Sequence, residues 1–329
     1  SLILTYKKTE EQKNGEKRTT EQTISLINIL TSNNSQCIIT RVTFAPFSDL
    51  RSIGKMNLKG VLNTFDRLAY MWQDVCMIPF DEAARRTRPF WWHVLHRMCA
   101  DNVTVYNFVV DWMATIVQQC IRTETMLSLY SVQGTGKGIF AQKFIDVLGE
   151  DVCWHCCSSQ RLLSRFNIIL RNKLFVFLDE ALFWDKEMAS NSVKALITER
   201  TLTVEAKFQN QFPTANRINF VLATNCANPL KVEAGDRRNC ILYMSDELAL
   251  NLAVPQCSAA LKKLLAVEPA MVARFLYGRK LPEEKLSYRI PKTEGTWREM
   301  LNSLSAAEKI IFAAYKDQNG LMLSTASAV

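Results

Sequence analysis

Residues 126–138 have the sequence MLSLYSVQGTGKG, a short apolar run followed by a glycine-rich stretch. The run Met126–Tyr130 predicts a buried β-strand, and the glycines after it predict a tight turn into a helix from about Lys137 to Leu148. Such a turn can bind phosphate, because glycines let backbone amides face the oxygens, the helix start adds its positive dipole end, and a lysine neutralises terminal phosphates. The candidate nucleotide-binding residues are Gly134, Thr135, Gly136, Lys137 and Gly138. A plain glycine turn stays open as the alternative, since Ser131 stands where the motif has its first glycine.

A second buried strand ends in two carboxylates. Leu174–Leu178 is apolar throughout, as in a parallel strand covered on both faces, and Asp179 and Glu180 follow it. The carboxyl ends of parallel strands are where such sheets bind ligands. Asp179 can hold Mg²⁺, directly or through water, and Glu180 can polarise the water that attacks a γ-phosphate. A solvated strand end is the simpler alternative.

Polar residues also mark the end of one further strand and the start of another. Asn225 follows an apolar strand, and beside the acidic strand its amide could reach the γ-phosphate or the attacking water. Arg237 and Arg238 precede the last strand, and an arginine supplied by a neighbouring subunit can stabilise charge in phosphoryl transfer. A turn-forming asparagine and a surface salt-bridge cluster are the alternatives.

These patterns predict an α/β fold with a parallel sheet core of about five strands, flanked by helices on both sides in sequence. The predicted strands are Met126–Tyr130, Val152–Cys156, Leu174–Leu178, Ile218–Ala223 and Cys240–Met244. We expect a linker or the end of an upstream domain over residues 1–56, with a polar loop at 7–22. A helical segment at 57–122, the core at 123–250 and a C-terminal helical subdomain at 251–329 complete the expected organisation. Capping-box patterns at Thr296–Glu299 and Ser305–Glu308 predict helix starts in that tail.

Composition excludes several classes of protein. The 329 residues are 48% hydrophobic and 22% charged, which is globular composition. The longest clear apolar runs have about five or six residues, against roughly 18 for a membrane span, so a membrane protein is excluded. The chain begins with Ser1 and has no charged-then-apolar leader, so we expect a fragment of a longer protein that is not secreted.

Charge and cysteine content suggest a partner and a compartment. Lys and Arg number 40 against 32 Asp and Glu, and the net charge of +8 suits a polyanionic partner. The ten cysteines lack the spacing of a small secreted scaffold, and several lie in apolar surroundings. We therefore expect reduced, buried thiols in an intracellular protein of the cytoplasm or nucleus of a host cell.

The ordered motifs resemble the superfamily 3 helicase domain of primase-helicases, most closely those of phages, virophages and large DNA viruses. The residues that carry this resemblance are Gly134–Lys137, Leu163–Asn167, Phe177–Ala181, Lys194–Glu199, Thr224–Asn225 and Asp236–Arg238. It covers about residues 57–246 and implies an AAA+-like P-loop core, assembly into a ring that is usually hexameric, and DNA unwinding fuelled by ATP with Mg²⁺. It also implies an upstream primase domain and single-stranded or forked DNA as a partner.

The resemblance assigns roles residue by residue. It makes Lys137 the phosphate lysine, Asp179 the metal ligand, Glu180 the catalytic carboxylate, Asn225 the sensor, and Arg237 or Arg238 the finger acting on a neighbouring subunit. The family places a DNA-gripping β-hairpin between the second and third motifs. The matching stretch is Thr201–Arg217, in which Lys207 and Arg217 are the candidate DNA-binding residues, although a plain solvated hairpin stays open.

One departure from the motif bears on activity. Gly138 follows Lys137 where a phosphate loop has a Ser or Thr hydroxyl for Mg²⁺. A water could take that place, but weak hydrolysis is also consistent with it. The competing hypothesis is therefore a nucleic-acid-binding or assembly module that hydrolyses ATP poorly.

Two clusters of metal-ligating residue types are interpreted as packing. Cys153, His155, Cys156 and Cys157 fall within five residues, in or directly after one predicted strand, and no second pair follows at zinc-site spacing. His93, His96 and Cys99 lie on a predicted helix beside two tryptophans. We predict structural roles for both clusters.

Overall fold

The computed structural model describes residues 3–11, 17–25, 41–43, 61–63, 75–180, 186–208, 210–225, 236–246 and 255–319. The chain divides into two compact units, Ser1–Tyr70 and Met71–Val329. Among the described residues, none of the helices has the length and apolar character needed to cross a membrane.

The first unit contains an antiparallel strand pair where a polar loop was predicted. Strand β1, Ile3–Glu11, pairs with β2, Lys17–Ser25. The register sets Thr5 opposite Thr23 and Lys7 opposite Glu21. Threonine pairs and opposite charges directly across the strands favour such pairing, so polar content alone was a poor guide and the loop prediction is wrong for these residues. Two short parallel strands, β3 (Arg41–Thr43) and β4 (Val61–Asn63), also belong to this unit.

The second unit is built around a five-stranded parallel sheet in the order β11-β5-β10-β7-β6. Its strands are β5 (Met126–Tyr130), β6 (Cys153–Cys156), β7 (Phe175–Asp179), β10 (Asn219–Thr224) and β11 (Asn239–Tyr243). The three inner strands are almost wholly buried, which explains their unbroken apolar sequences. A separate antiparallel pair consists of β8 (Thr201–Val204) and β9 (Phe212–Ala215). The predicted α/β fold with five parallel strands is confirmed.

Helices precede, connect and follow the strands. They are α1 (Phe80–Arg86), α2 (Arg88–Trp92), α3 (Val103–Gln119), α4 (Lys137–Leu148), α5 (Ser159–Leu162), α6 (Lys186–Thr198), α7 (Pro255–Leu265), α8 (Pro269–Gly278), α9 (Glu294–Ser303) and α10 (Ala306–Asn319). A π-helical turn, His93–Met98, continues α2. The helix predicted between Lys137 and Leu148 has those bounds.

Helix α3 anchors the segment before the sheet to the sheet itself. Trp112 is fully buried, and its Nε1 donates to the carbonyl oxygen of Thr125 at 2.9 Å, just before β5. Its ring also contacts Phe144 of α4 and Phe175 of β7. Large aromatic side chains bury much apolar area, so this cluster fixes the position of α4 and of the loop that precedes it.

The C-terminal helices pack on the same unit. Asp111 of α3 is buried and accepts hydrogen bonds from Arg279 at 2.9 Å and from Arg289 at 3.2 Å. Two arginines satisfy a carboxylate that would be costly to bury alone. This arrangement joins the chain after α8 to the helix that precedes the core.

Helix α9 lies against the edge strand β11. A Cβ on Gly295 would come within 2.8 Å of the carbonyl oxygen of Ile241, so only glycine fits this approach. The Thr293 hydroxyl donates to the same oxygen, and Tyr243 donates to Glu299 at 2.6 Å.

The two predicted capping boxes have different outcomes. The prediction at Thr296 is wrong: α9 starts earlier, and Thr293 caps it by accepting from the Thr296 amide at 3.1 Å. The box at Ser305 and Glu308 is confirmed by reciprocal hydrogen bonds of 2.8 and 3.2 Å.

Candidate nucleotide-binding site

The glycine loop joins β5 to α4. Gly134 has φ 87° and Gly136 has φ 97°, a left-handed region that glycine enters at little cost. Gly136 is the residue before the first turn of α4, so the loop turns directly into the amino end of a helix. Free amides and the positive dipole end at that point favour an anion.

Lys137 lies inside this loop and is only 8% exposed. Its Nζ donates to the carbonyl oxygens of Ser131 and Val132, at 2.7 and 3.0 Å, and to Ser131 Oγ at 3.0 Å. Ser131 Oγ also lies 2.5 Å from the Thr135 hydroxyl. The serine that departs from the usual motif therefore helps to hold the lysine and the loop together.

The lysine also lies within the field of the acidic pair. Burial lowers the pKa of Lys137, while the negative charges of Glu180 and Asp179 oppose that change. The three side chains thus share one electrostatic environment, as phosphate and metal binding require.

The acidic pair stands at the carboxyl end of β7. Asp179 is the last residue of that strand, and the next residue, Glu180, has φ 48°, a strained backbone conformation for a non-glycine residue. The Glu180 amide donates to the carbonyl oxygen of Ala223 on β10 at 2.9 Å. Such strain is concentrated at functional sites.

Asn225 completes the group because of the strand order. Strand β10 lies between β5 and β7, with Ala223 in register with Asp179. Asn225 Nδ2 donates to Glu180 Oε1 at 3.3 Å. We call the set Lys137, Asp179, Glu180 and Asn225 the carboxyl-edge group. Three of its members end or follow the parallel strands β7 and β10, and Lys137 begins the helix after β5.

Two residues of the Cys-rich strand join this edge. Cys153 and Cys156 are buried, as predicted, but His155 and Cys157 are exposed. His155 Nε2 lies 3.1 Å from Asp179 Oδ2 and 3.6 Å from Cys157 Sγ. The prediction that all four residues are structural is therefore wrong for these two. They are exposed, and the parallel pairing of β6 with β7 places Asp179 beside them.

The arginine pair lies at the opposite end of the parallel strands, where β11 begins. Arg237 and Arg238 precede β11, whose first residue Asn239 pairs with Met126 at the start of β5. Arg237 is exposed, whereas Arg238 lies 3.9 Å from Asp236 and has a buried Nε without a partner among the described atoms. The structure does not bring either arginine to the carboxyl-edge group of the same chain.

The predicted hairpin forms between β8 and β9. Arg165 Nε donates to both carboxylate oxygens of Glu205, at 2.9 and 3.0 Å, and the Glu205 amide donates to Asn167 Oδ1 at 2.9 Å. The segment 163–167, one of the motifs in the sequence, is thus hydrogen-bonded to the hairpin and stabilises it. Lys207 is exposed at its tip, 5.9 Å from the Phe166 ring, and the neighbouring Phe208 is fully exposed with φ 63°.

Arg217 is far from that tip along the hairpin. It follows β9 at the hairpin base and donates to the carbonyl oxygen of Cys120 at 3.3 Å. With Arg122 and Arg200 it lines a cavity of about 290 Å³. The two candidate DNA-binding residues are therefore not brought together.

His93 is a supporting residue that the sequence interpretation assigned only to packing. Its side chain is buried in the π-helical turn, and burial lowers the pKa of His93 to about 4, although a hydrogen bond to the Gly136 backbone opposes the shift. It thus connects the helical segment to the phosphate loop. The structural sign of this role is the π-helical turn beside the glycine loop, because such turns are frequent at functional sites. The residue pattern does not reveal a π-helical turn.

Comparisons with known proteins agree with this arrangement. A model for a family of unknown function, DUF5906, matches residues 129–238. Over 132 residues the chain is 30% identical to a DNA primase-polymerase of Nitratiruptor phage NrS-1, and the match covers 39% of this chain but only 18% of that protein.

Solved structures of the NrS-1 C-terminal region share the fold. One matches with a TM-score of 0.60 at 23% identity, over 68% of this chain and 53% of that one. Another matches with a TM-score of 0.64 at 17% identity, over 99% of this chain and 80% of that one. These comparisons agree with the resemblance seen in the motifs: part of the chain is similar in sequence to a phage primase-polymerase, and the chain shares the fold of that protein's C-terminal region.

Proposed function

We propose that the second unit is an ATP-dependent DNA helicase motor of a replication primase-helicase. The observation that carries this proposal is the contact of 3.3 Å between Asn225 and Glu180 on neighbouring strands, beside a lysine inside a phosphate-type loop. A small-molecule kinase of the same loop type would leave the acidic pair, the asparagine and the arginines without a shared purpose.

The chain's own groups suit phosphate transfer to water. The loop amides and Lys137 would bind the β- and γ-phosphates of ATP. Glu180 would accept a proton from the attacking water as its oxygen bonds to the γ-phosphorus and the bond to the leaving diphosphate breaks. Asn225, which donates to Glu180, would hold that carboxylate and the water in line.

The residues present fit Mg²⁺. Asp179 offers a partly exposed carboxylate oxygen next to the loop. A Cβ on Gly138 would meet no atom within 4 Å, so a water has room where the usual hydroxyl would be. The metal would neutralise charge on the transferring phosphate.

The position of Arg237 supports a site shared between chains. It lies at the amino end of β11, and five residues of strand span roughly 16 Å. An arginine so placed could serve the ATP site of a neighbouring copy, which supports assembly into a ring. We propose that this ring is a hexamer, as the resemblance to superfamily 3 helicase domains implies.

The hairpin tip supports DNA as the partner. Lys207 can contact phosphate, and the exposed ring of Phe208 can stack on a base. The NrS-1 relative is named a primase-polymerase, which supports a primase or other replication protein as a second partner, within a host cell.

The decisive measurement is ATP hydrolysis with and without single-stranded DNA. We expect DNA-stimulated turnover by the intact chain and a loss of at least about 100-fold in Lys137→Ala and Glu180→Gln. Glu180→Gln should still bind nucleotide, because its charge is not needed for the loop contacts. Equal rates in all three proteins, with DNA binding retained, would overturn the motor proposal.

A hydrolysis-weak binding or assembly module is the second candidate, and Gly138 is the observation that favours it. Since the position has open space, Gly138→Thr should fit and supply the missing hydroxyl. If the intact chain is slow and Gly138→Thr is clearly faster at low Mg²⁺, the second candidate stands. Unchanged or slower turnover would favour a water in that place.

A further inference from the structure

We propose that His155, Cys157 and Asp179 form a second metal site, for a thiophilic divalent cation such as Zn²⁺. We further propose that its occupation withdraws Asp179 from the Mg²⁺ role and so inhibits the enzyme. The inhibitory part rests on the proposed function, whereas the binding part stands on the geometry alone.

Parallel pairing of β6 with β7 creates the cluster. Cys156 is in register with Leu178, so Cys157, directly after β6, comes beside Asp179, the last residue of β7. His155 pairs with Phe177, and its ring lies against the Phe177 ring with centroids 5.0 Å apart. This aromatic contact sets the direction in which the imidazole points.

The separations of the donor atoms suit one tetrahedral ion. His155 Nε2 lies 3.1 Å from Asp179 Oδ2 and 3.6 Å from Cys157 Sγ, and all three ligand atoms lie within 4.8 Å of one another. Zn–N and Zn–O bonds of about 2.0–2.1 Å and a Zn–S bond of about 2.3 Å separate neighbouring donors by roughly 3.3–3.6 Å. Small shifts of exposed side chains would close the site around an ion.

The donor set selects the metal. Sulfur and imidazole nitrogen favour Zn²⁺ and similar ions, whereas Mg²⁺ takes oxygen ligands and keeps much of its water. Cys157 would lose its thiol proton to solvent on binding. Three protein ligands leave a fourth position for water, and the exposure of His155 and Cys157 gives an ion direct access.

The shared ligand makes the two metals compete. Asp179 Oδ2 lies 3.1 Å from His155 Nε2, and Asp179 is also the carboxylate assigned to Mg²⁺. A Zn²⁺ ion held by three protein ligands would bind this carboxylate more tightly than Mg²⁺ does. Hydrolysis would then fall even at saturating ATP.

Binding can be tested directly with Co²⁺, whose bond to a thiolate gives a charge-transfer absorption band. We expect the intact protein to show this band, Zn²⁺ to displace it, and Cys157→Ser to weaken binding at least about tenfold. Cys76→Ser is the matched control, since Cys76 is also exposed but far from Asp179 in sequence, and should bind as the intact protein does. His155→Gln should weaken binding as Cys157→Ser does. Unaltered Co²⁺ binding in both site variants would overturn the proposal.

Inhibition is tested by titrating Zn²⁺ into the hydrolysis assay at fixed excess Mg²⁺. We expect reversible inhibition, relieved by a zinc-selective chelator, and a tenfold or greater resistance in Cys157→Ser but not in Cys76→Ser. Equal inhibition of both variants would overturn the inhibitory role. If the intact protein bound Co²⁺ through Cys157 yet hydrolysed no ATP, the proposed function would fail while the metal site stood.

Discussion

The carboxyl ends and the amino ends of the strands in the central sheet carry different sets of polar side chains. At the carboxyl ends of the strands stand Asp179, Glu180 and Asn225, which donates to Glu180 at 3.3 Å, beside the loop that holds Lys137. At the amino ends, Arg122 precedes β5, Arg217 precedes β10, and Arg237 and Arg238 precede β11. We call these four arginines the amino-edge group.

The difference shows which groups one chain can combine. Residues at the carboxyl edge meet because parallel strands end together, and the inner position of β10 sets Asn225 beside Glu180. The amino-edge group lies a full strand length away, roughly 16 Å. A reaction that needs both sets must therefore use the carboxyl edge of one copy and the amino edge of another.

The largest expected effect tests that division. Arg237→Ala should lower ATP hydrolysis about 10³-fold, because an arginine acting on the transition state has this weight. Arg238→Ala should lower it less, since Arg238 is partly engaged with Asp236. Steady-state turnover of the two variants, at equal assembly, measures the contrast.

Mixing subunits is the control for the shared site. Arg237→Ala and Glu180→Gln chains are each inactive alone, but about a quarter of head-to-tail interfaces in an equal random mixture would contain both intact residues. Activity should return in proportion. Its absence at every ratio, with mixed rings demonstrated by size, would place both residues in one chain's site or in none.

Asn225→Ala tests the carboxyl edge from within. Loss of one aligned donor should reduce hydrolysis about 10²-fold while nucleotide affinity stays the same. Single-turnover hydrolysis and equilibrium nucleotide binding separate these two effects. Asn302→Ala, an exposed asparagine on α9, is the control. A large loss of nucleotide affinity instead would show that Asn225 binds the ground state.

His93 makes the loop at the carboxyl edge sensitive to pH. Because the folded pKa, about 4, lies below the ordinary 6.5, the unfolded chain takes up a proton first as pH falls. The contribution of neutral His93 to the free energy of unfolding is complete above pH 6.5 and is lost as pH falls toward 4. The loss is about 2 kcal/mol at pH 5. Arg97 is the nearby charge that lowers the pKa further.

Denaturant unfolding at several pH values measures this effect. We expect His93→Gln to be less stable at pH 7 but to lose less stability than the intact protein between pH 7 and pH 5. Parallel pH profiles for the two proteins would show that other groups, such as carboxylates, account for the acid sensitivity.

The smallest effect concerns the hairpin and the amino edge. Lys207→Ala should weaken DNA binding by up to about tenfold and reduce the salt dependence by about one released ion. Arg217→Ala should have less effect, because Arg217 lies at the hairpin base beside Arg122 and Arg200. Titrations of labelled single strands at several salt concentrations give both quantities. A larger effect of Arg217→Ala would move the DNA site to the amino edge.

Local patterns were sufficient to predict most of the core. The apolar strands and the glycine loop each depend on neighbouring residues, so Met126–Tyr130 and the helix from Lys137 to Leu148 were correctly placed. Strand order is not local, and nothing in one strand states that β10 lies between β5 and β7. The approach of His155 and Cys157 to Asp179 could not be predicted for the same reason. It depends on how β6 and β7, which are separated in sequence, are aligned with each other.

The mispredicted strand pair shows a different limit. Strands β1 and β2 are polar, so the hydrophobic alternation that reveals strands is weak there. The sequence between them contains Asn14-Gly15, a dipeptide typical of hairpin turns, and this signal could have indicated that two strands pair here, although not their register.

The close fit of Gly295 against Ile241 has a consequence for solubility. Strand β11 is at the end of the sheet order, and its outer side faces α9, whose preceding Thr293 donates to the Ile241 carbonyl. An uncovered strand edge is a template on which other chains can aggregate. A protein shortened to end before Thr293 would keep all five strands and the glycine loop, yet it would expose that edge. We therefore expect the loss of α9 to promote aggregation through β11.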